Sequence, residues 1–74
     1  MKEHITELLS KALPMVDLDS QFLFSELDSL GVTTILMLLS EEYGIELEAK
    51  DATPKNLKTI DSIVRMVEEK LKGQ

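Results

Sequence analysis

The chain has 74 residues, with eight basic and fourteen acidic side chains and a net charge of −6. That length makes one domain, residues 1–74, close to the smallest that folds on its own core. Cysteine is absent, which excludes disulfides and thiolate metal sites and favours the cytoplasm, because small secreted domains are usually stapled. Met1-Lys2-Glu3-His4 opens no apolar leader. The longest apolar run, Ile35-Leu36-Met37-Leu38-Leu39, is far short of the roughly 18 residues of a membrane span, so no membrane insertion is expected.

Charge is unevenly distributed. Residues 15–51 hold nine acids against the single base Lys50, a net of −8, whereas residues 52–74 hold five bases against three acids. An acidic middle repels phosphate backbones, so no nucleic-acid partner is expected. It either speeds encounters with basic protein surfaces or serves solubility alone.

The first helix is expected over residues 2–13, where Ile5, Leu8, Leu9, Ala12 and Leu13 recur at helical spacing and Pro14 stops the pattern. Residues 14–28 read as a long loop. Its Phe22-Leu23-Phe24 is too apolar for a free linker, and at least one phenylalanine is expected to pin it to the core. The second helix spans 29–43, between Asp28 and Gly44, which can take the left-handed C′ conformation. Leu30, Ile35, Leu38 and Leu39 form its expected inward set. Val32, Leu36 and Met37 add more apolar surface than one stripe needs, so the helix is central or part of it faces a ligand or partner.

Ile45-Glu46-Leu47-Glu48 alternates but has no partner strand, and reads as an extended loop burying Ile45 and Leu47. Thr53 as N-cap and Pro54 at the first helical position start a short helix that carries Leu57 inward and ends near Lys58. Thr59 caps the last helix, 60–72, in which Ile60, Ile63, Val64, Val67 and Leu71 follow the helical repeat. The expected fold is all-α: a small four-helix bundle of three main helices and one short one, with a long loop between the first two.

Ser29 stands out as a candidate site. At a helix start, free backbone N–H groups and the positive end of the helix dipole favour an attached phosphate. Gly31, two residues on, adds no side chain to obstruct an approaching enzyme. The alternative is that Asp28 or Ser29 merely caps the helix. Nothing nearby activates Ser29 as a nucleophile. The one histidine, His4, lies on the first helix as a surface or boundary residue, so no catalytic residues are assigned and no enzyme is expected. Asp17-Leu18-Asp19-Ser20-Gln21 opens like a calcium loop but has Phe22 where the loop needs glycine and Asp28 where it needs glutamate, so no metal site is expected. Tyr43 is expected to pack its ring, with its hydroxyl reaching water or a loop carbonyl.

Leu27-Asp28-Ser29-Leu30, followed by a helix ending Glu41-Glu42-Tyr43-Gly44-Ile45 and then by Thr59-Ile60-Asp61-Ser62-Ile63, resembles the acyl carrier protein family and its peptidyl and D-alanyl carrier relatives over nearly the whole chain. The resemblance implies that Ser29 receives 4′-phosphopantetheine from coenzyme A through a phosphopantetheinyl transferase, with Asp28 and Leu30 beside the attachment point. It further implies that the arm's thiol carries an acyl or aminoacyl thioester, loaded by a ligase or acyltransferase and visited by downstream enzymes. A chain without cysteine needs such a cofactor to hold a thioester. Relatives of the fatty-acid-synthesis type usually carry acids where this chain has Gly31, Thr34 and Ser40; Glu41 and Glu42 remain. Leu-Asp-Ser-Leu-Gly looks more like the D-alanyl and stand-alone peptidyl carriers. Glu26, Thr34, Met37, Glu41 and Glu42 are the expected partner-binding residues, and a monomer is expected. For Leu36 and Met37 the resemblance implies contact with partners or bound chains, against a plain core role. A long acyl cargo would have to enter between helices, lined by Leu39 and Ile63. The rival reading is a non-covalent helical interaction module with an unmodified Ser29.

Overall fold

Two amphipathic stretches and one largely apolar stretch between them become helices, and their ends follow the capping chemistry of the sequence. The computed structural model describes residues 1–73; Gln74, the last residue of the expected domain, lies outside the described residues. Helix α1 spans Lys2–Ala12, α2 spans Ser29–Tyr43 and α3 spans Ile60–Lys72. Leu13 caps α1 and Pro14 prevents its continuation. Asp28 caps α2 by accepting the Gly31 N–H at 2.7 Å. Gly44 closes that helix at φ +62°, with its N–H donating to the Ser40 carbonyl. Thr59 and Ser62 form a reciprocal capping box on α3.

The helices enclose a core whose fully buried side chains are Ile5 and Leu9 of α1, Ile35 and Leu39 of α2, Ile63 and Val67 of α3, and the loop residues Leu23 and Leu57. α1 packs on both other helices. Among the described residues no strand forms, and no helix is long and apolar enough to cross a membrane. Residues 45–48 form neither helix nor strand, with Ile45 buried, Leu47 half-buried and Glu48 extended.

Three expectations need correction, the helix over 53–58, the inward Leu71 and the inward Leu30, whereas Phe24 packs the long loop against the core as expected. The short helix expected over 53–58 is a turn. Thr53 Oγ1 accepts the Asn56 N–H at 3.0 Å and the Leu57 N–H reaches the Thr53 carbonyl at 3.0 Å. Thr59 must then be extended (φ −142°) to cap α3, which leaves room for one turn only. Short 3₁₀ turns form instead at Leu23–Glu26 and Ala49–Asp51. In the long loop the deepest anchor is Leu23, fully buried, while Phe24 packs half-buried and Phe22 is 71% exposed. In α3, Met66 is buried and Leu71 is exposed, because the last turn projects past the core. In α2, Leu30 faces solvent.

Candidate functional site

The buried side of α2 is Gly31, Ile35 and Leu39, a repeat of four residues pointed at α1 and α3. Leu30 lies about 140° around the helix from Ile35, given 3.6 residues per turn, and is 74% exposed. Met37 is 51% exposed. Leu30, Thr34, Met37 and Glu41 follow the i, i+4, i+7, i+11 spacing of one outward stripe. The Thr33 and Thr34 hydroxyls donate to the Ser29 and Leu30 carbonyls at 2.9 and 2.8 Å, so their polarity is turned into the helix. The N-terminal half of this stripe is therefore uncharged and largely apolar.

Ser29 is the first residue of α2 and is exposed. Asp28 is extended (φ −94°, ψ −180°), with its carboxylate turned inward to the Gly31 N–H. The first turn of α2 holds no acidic side chain. Among the described residues the N–H groups of Ser29 and Leu30 find no acceptor, so they remain available to an anion at the dipole's positive end. Gly31 is buried: a Cβ there would stand 3.3 Å from Asp28 Oδ1 and 3.5 Å from Leu27 Cδ2. The glycine thus lets the capping carboxylate and Leu27 close tightly on the helix start. An exposed hydroxyl beside two free N–H groups, with the nearest carboxylate already engaged, fits a phosphate ester.

The other expected site residues divide by position. Glu26, in the 3₁₀ turn before Asp28, accepts the Asp17 N–H at 3.1 Å and so also braces the loop. Glu41 is exposed on the stripe. Glu42 faces the other way and pairs with His4 Nε2 of α1 at 2.5 Å. The His4 ring meets Tyr43 edge to face at 6.1 Å. The Tyr43 ring is half-buried as expected; burial and the Glu42 charge hold its hydroxyl above the usual tyrosine pKa. Asp17 Oδ1 accepts the Asp19 N–H at 3.0 Å, a turn contact. Leu36 is half-buried, and Leu39 and Ile63 are fully packed in the core.

A groove of about 350 Å³ opens beside the helix start, between residues 12–16 and the N-terminal half of α2. Sequence reasoning missed it, since its two walls are sixteen or so residues apart in the chain. The exposed Met15 next to Pro14 was the available signal.

Residues 1–67 match the family described as "Phosphopantetheine attachment site". Over 69 residues the chain is 29% identical to the acyl carrier proteins of Rickettsia massiliae (strain Mtu5), Rickettsia africae (strain ESF-5) and Rickettsia felis (strain ATCC VR-1525 / URRWXCal2), an alignment covering 92% of this chain and 78% of each relative. No solved structure matches the chain at a significant level. The chain belongs to the phosphopantetheine attachment-site family of acyl carrier proteins, whose cofactor is 4′-phosphopantetheine.

Proposed function

We propose that this chain acts as a carrier protein with Ser29 as its attachment point, working in the cytoplasm as a monomer. One observation carries the reading: the exposed hydroxyl of the Asp28-Ser29-Leu30 motif opens α2 beside free N–H groups, inside the segment that matches the family. Joined to the Ser29 oxygen as a phosphodiester, 4′-phosphopantetheine supplies a terminal thiol that holds an acyl or aminoacyl cargo. The N–H groups of Ser29 and Leu30 stabilise the diester's charge, while Asp28 keeps the helix start closed by holding Gly31.

Attachment forms an O–P bond at the Ser29 oxygen as the pyrophosphate P–O bond of coenzyme A breaks and adenosine 3′,5′-bisphosphate leaves, and the serine proton must go to a base. His4, the chain's one imidazole, is held by Glu42 at the far end of α2, about 20 Å of helix away. The base therefore belongs to a phosphopantetheinyl transferase, and the chain is substrate and carrier, not catalyst. An acyl or aminoacyl ligase or transferase loads the cargo, and downstream enzymes receive it. Thr34 and Met37 meet these partners on the stripe. Glu26, Glu41 and Glu42 favour basic partner surfaces. The neutral Gly31 and Thr34 favour a specialised, aminoacyl-type cargo over ordinary fatty-acid synthesis.

Intact-mass spectrometry tests the reading, after incubation with coenzyme A, magnesium and a broad-specificity transferase. The parent should gain one phosphopantetheine and Ser29→Ala none. A folded parent that gains nothing returns the chain to the reading of a non-covalent module, for which the exposed Leu30 and Met37 would be the contact surface.

A further inference from the structure

The groove beside α2 has a definite chemistry. Its volume of about 350 Å³ lies at the lower end of small-ligand sites. Leu13, Val16 and Leu27 are half-buried within it, and the exposed Met15 and Leu30 stand at its mouth. Gly31 adds no side chain to fill it. Its walls are held in place before any ligand arrives. The Val16 N–H donates to the Leu13 carbonyl at 3.1 Å, and the Asp17 N–H donates to Glu26 Oε1 at 3.1 Å. A preformed slot spends little of its binding energy on ordering.

The surroundings carry one sign of charge. No basic residue occurs between Lys11 and Lys50, and the groove's lining contributes the carboxylates of Glu26 and Asp28, with Asp17 beside it. Ser29 itself does not line the groove, although its neighbours Asp28 and Leu30 do. Ser29 and Gly31 are two residues apart, about 200° around the helix, so Ser29 leaves α2 on the side away from the groove. We propose that the groove receives one apolar side chain of a partner protein, presented from a basic surface, when that partner docks next to Ser29. This deepens the partner reading above and rests on it. The apolar lining selects the inserted group, since a charged one would lose its hydration there. The surrounding carboxylates select the basic surface around it.

The test is a nuclear magnetic resonance titration of the full ¹⁵N-labelled chain with three blocked pentapeptides: Lys-Lys-Leu-Lys-Lys, Lys-Lys-Ser-Lys-Lys and Glu-Glu-Leu-Glu-Glu. The leucine-lysine peptide should bind about five- to tenfold tighter than the serine one, as expected for partial burial of one leucine side chain. Its shifts should centre on Leu13, Val16, Leu27, Gly31 and Thr34, and the acidic peptide should not bind. Thr34→Trp, which fills the groove from its rim, and Thr34→Lys, which adds a base there, should each remove the leucine preference while keeping a folded spectrum. Equal binding of the two basic peptides, shifts centred elsewhere, or an undiminished preference in both variants would overturn the proposal. Mass gain at Ser29 is measured separately. A chain that loads but shows no leucine preference refutes the groove alone, whereas one that prefers leucine but never loads refutes the carrier reading alone.

Discussion

Single residues decide where this small chain turns. Gly44 sits at φ +62° with nothing within 4 Å of the position a Cβ would take, so a side chain there meets only backbone strain. Gly44→Ala should lower stability by about 1 kcal/mol, measured by urea unfolding, and Gly44→Asn by less. Asp51 is the residue most tuned by its surroundings. The Glu48 N–H donates to its Oδ2 at 2.9 Å and Lys70 of α3 pairs with the same oxygen at 3.2 Å. Backbone hydrogen bonding first, then Lys70 and Lys50, hold its carboxyl below the usual aspartate pKa against the opposing effect of burial. A lowered folded pKa stabilises the fold above the unfolded pKa, about 4, and that contribution is lost as pH falls through the folded value. Unfolding measured across pH 2–7 should therefore show the parent's advantage over Asp51→Asn shrinking in acid; a constant gap would contradict the linkage. Gly44 was legible in the sequence because a helix repeat ends on it. The Asp51–Lys70 pair was not, because nineteen residues separate its members and only the packing of the 49–51 turn against α3 joins them.

At the scale of elements, the caps were readable and the inward faces only in part. Asp28 and Thr59 use a local side-chain bond, so the starts of α2 and α3 follow from adjacent residues. The face of α2 does not. Its run from Leu30 to Leu39 is apolar on nearly every side, and periodicity could not tell Leu30 from Ile35. Contact with α1 and α3 chose Ile35 and Leu39 and left Leu30 outside. The long loop behaves similarly: three consecutive apolar residues, of which Leu23 goes fully inside while its N–H donates to the Lys58 carbonyl at 2.9 Å. That contact ties the first loop to the turn before α3. Leu23→Ala should cost about 2–4 kcal/mol by urea unfolding, comparable to the whole net stability of about 3–5 kcal/mol common at this size. Phe22→Ser, at an exposed position, should change it by less than about 0.5 kcal/mol.

For the whole molecule, the governing quantity is the concentration of negative charge in residues 15–51. Few of those carboxylates are paired with a cation: Glu48 with Lys50 and Asp51 with Lys70, while Glu42 is hydrogen-bonded to His4. The melting temperature should rise as ionic strength is raised from about 10 mM to 150 mM, where the screening length falls from about 30 Å to about 8 Å. A flat response would mean that self-repulsion contributes little to the net stability. Family, cofactor chemistry and helix order were readable without coordinates, because they depend on short-range patterns: helical periodicity, a cap, a stop residue and the Asp28-Ser29-Leu30 motif. The sequence by itself determined that this is an acidic helical carrier-family chain with a serine hydroxyl at the start of its second helix. Only the tertiary structure decided that residues 53–58 form a turn, that Leu30 and Met37 look outward, and that a groove lies between residues 12–16 and α2. Those outcomes depend on which distant surfaces bury each other, and apolar pattern alone does not rank the competing faces of one helix.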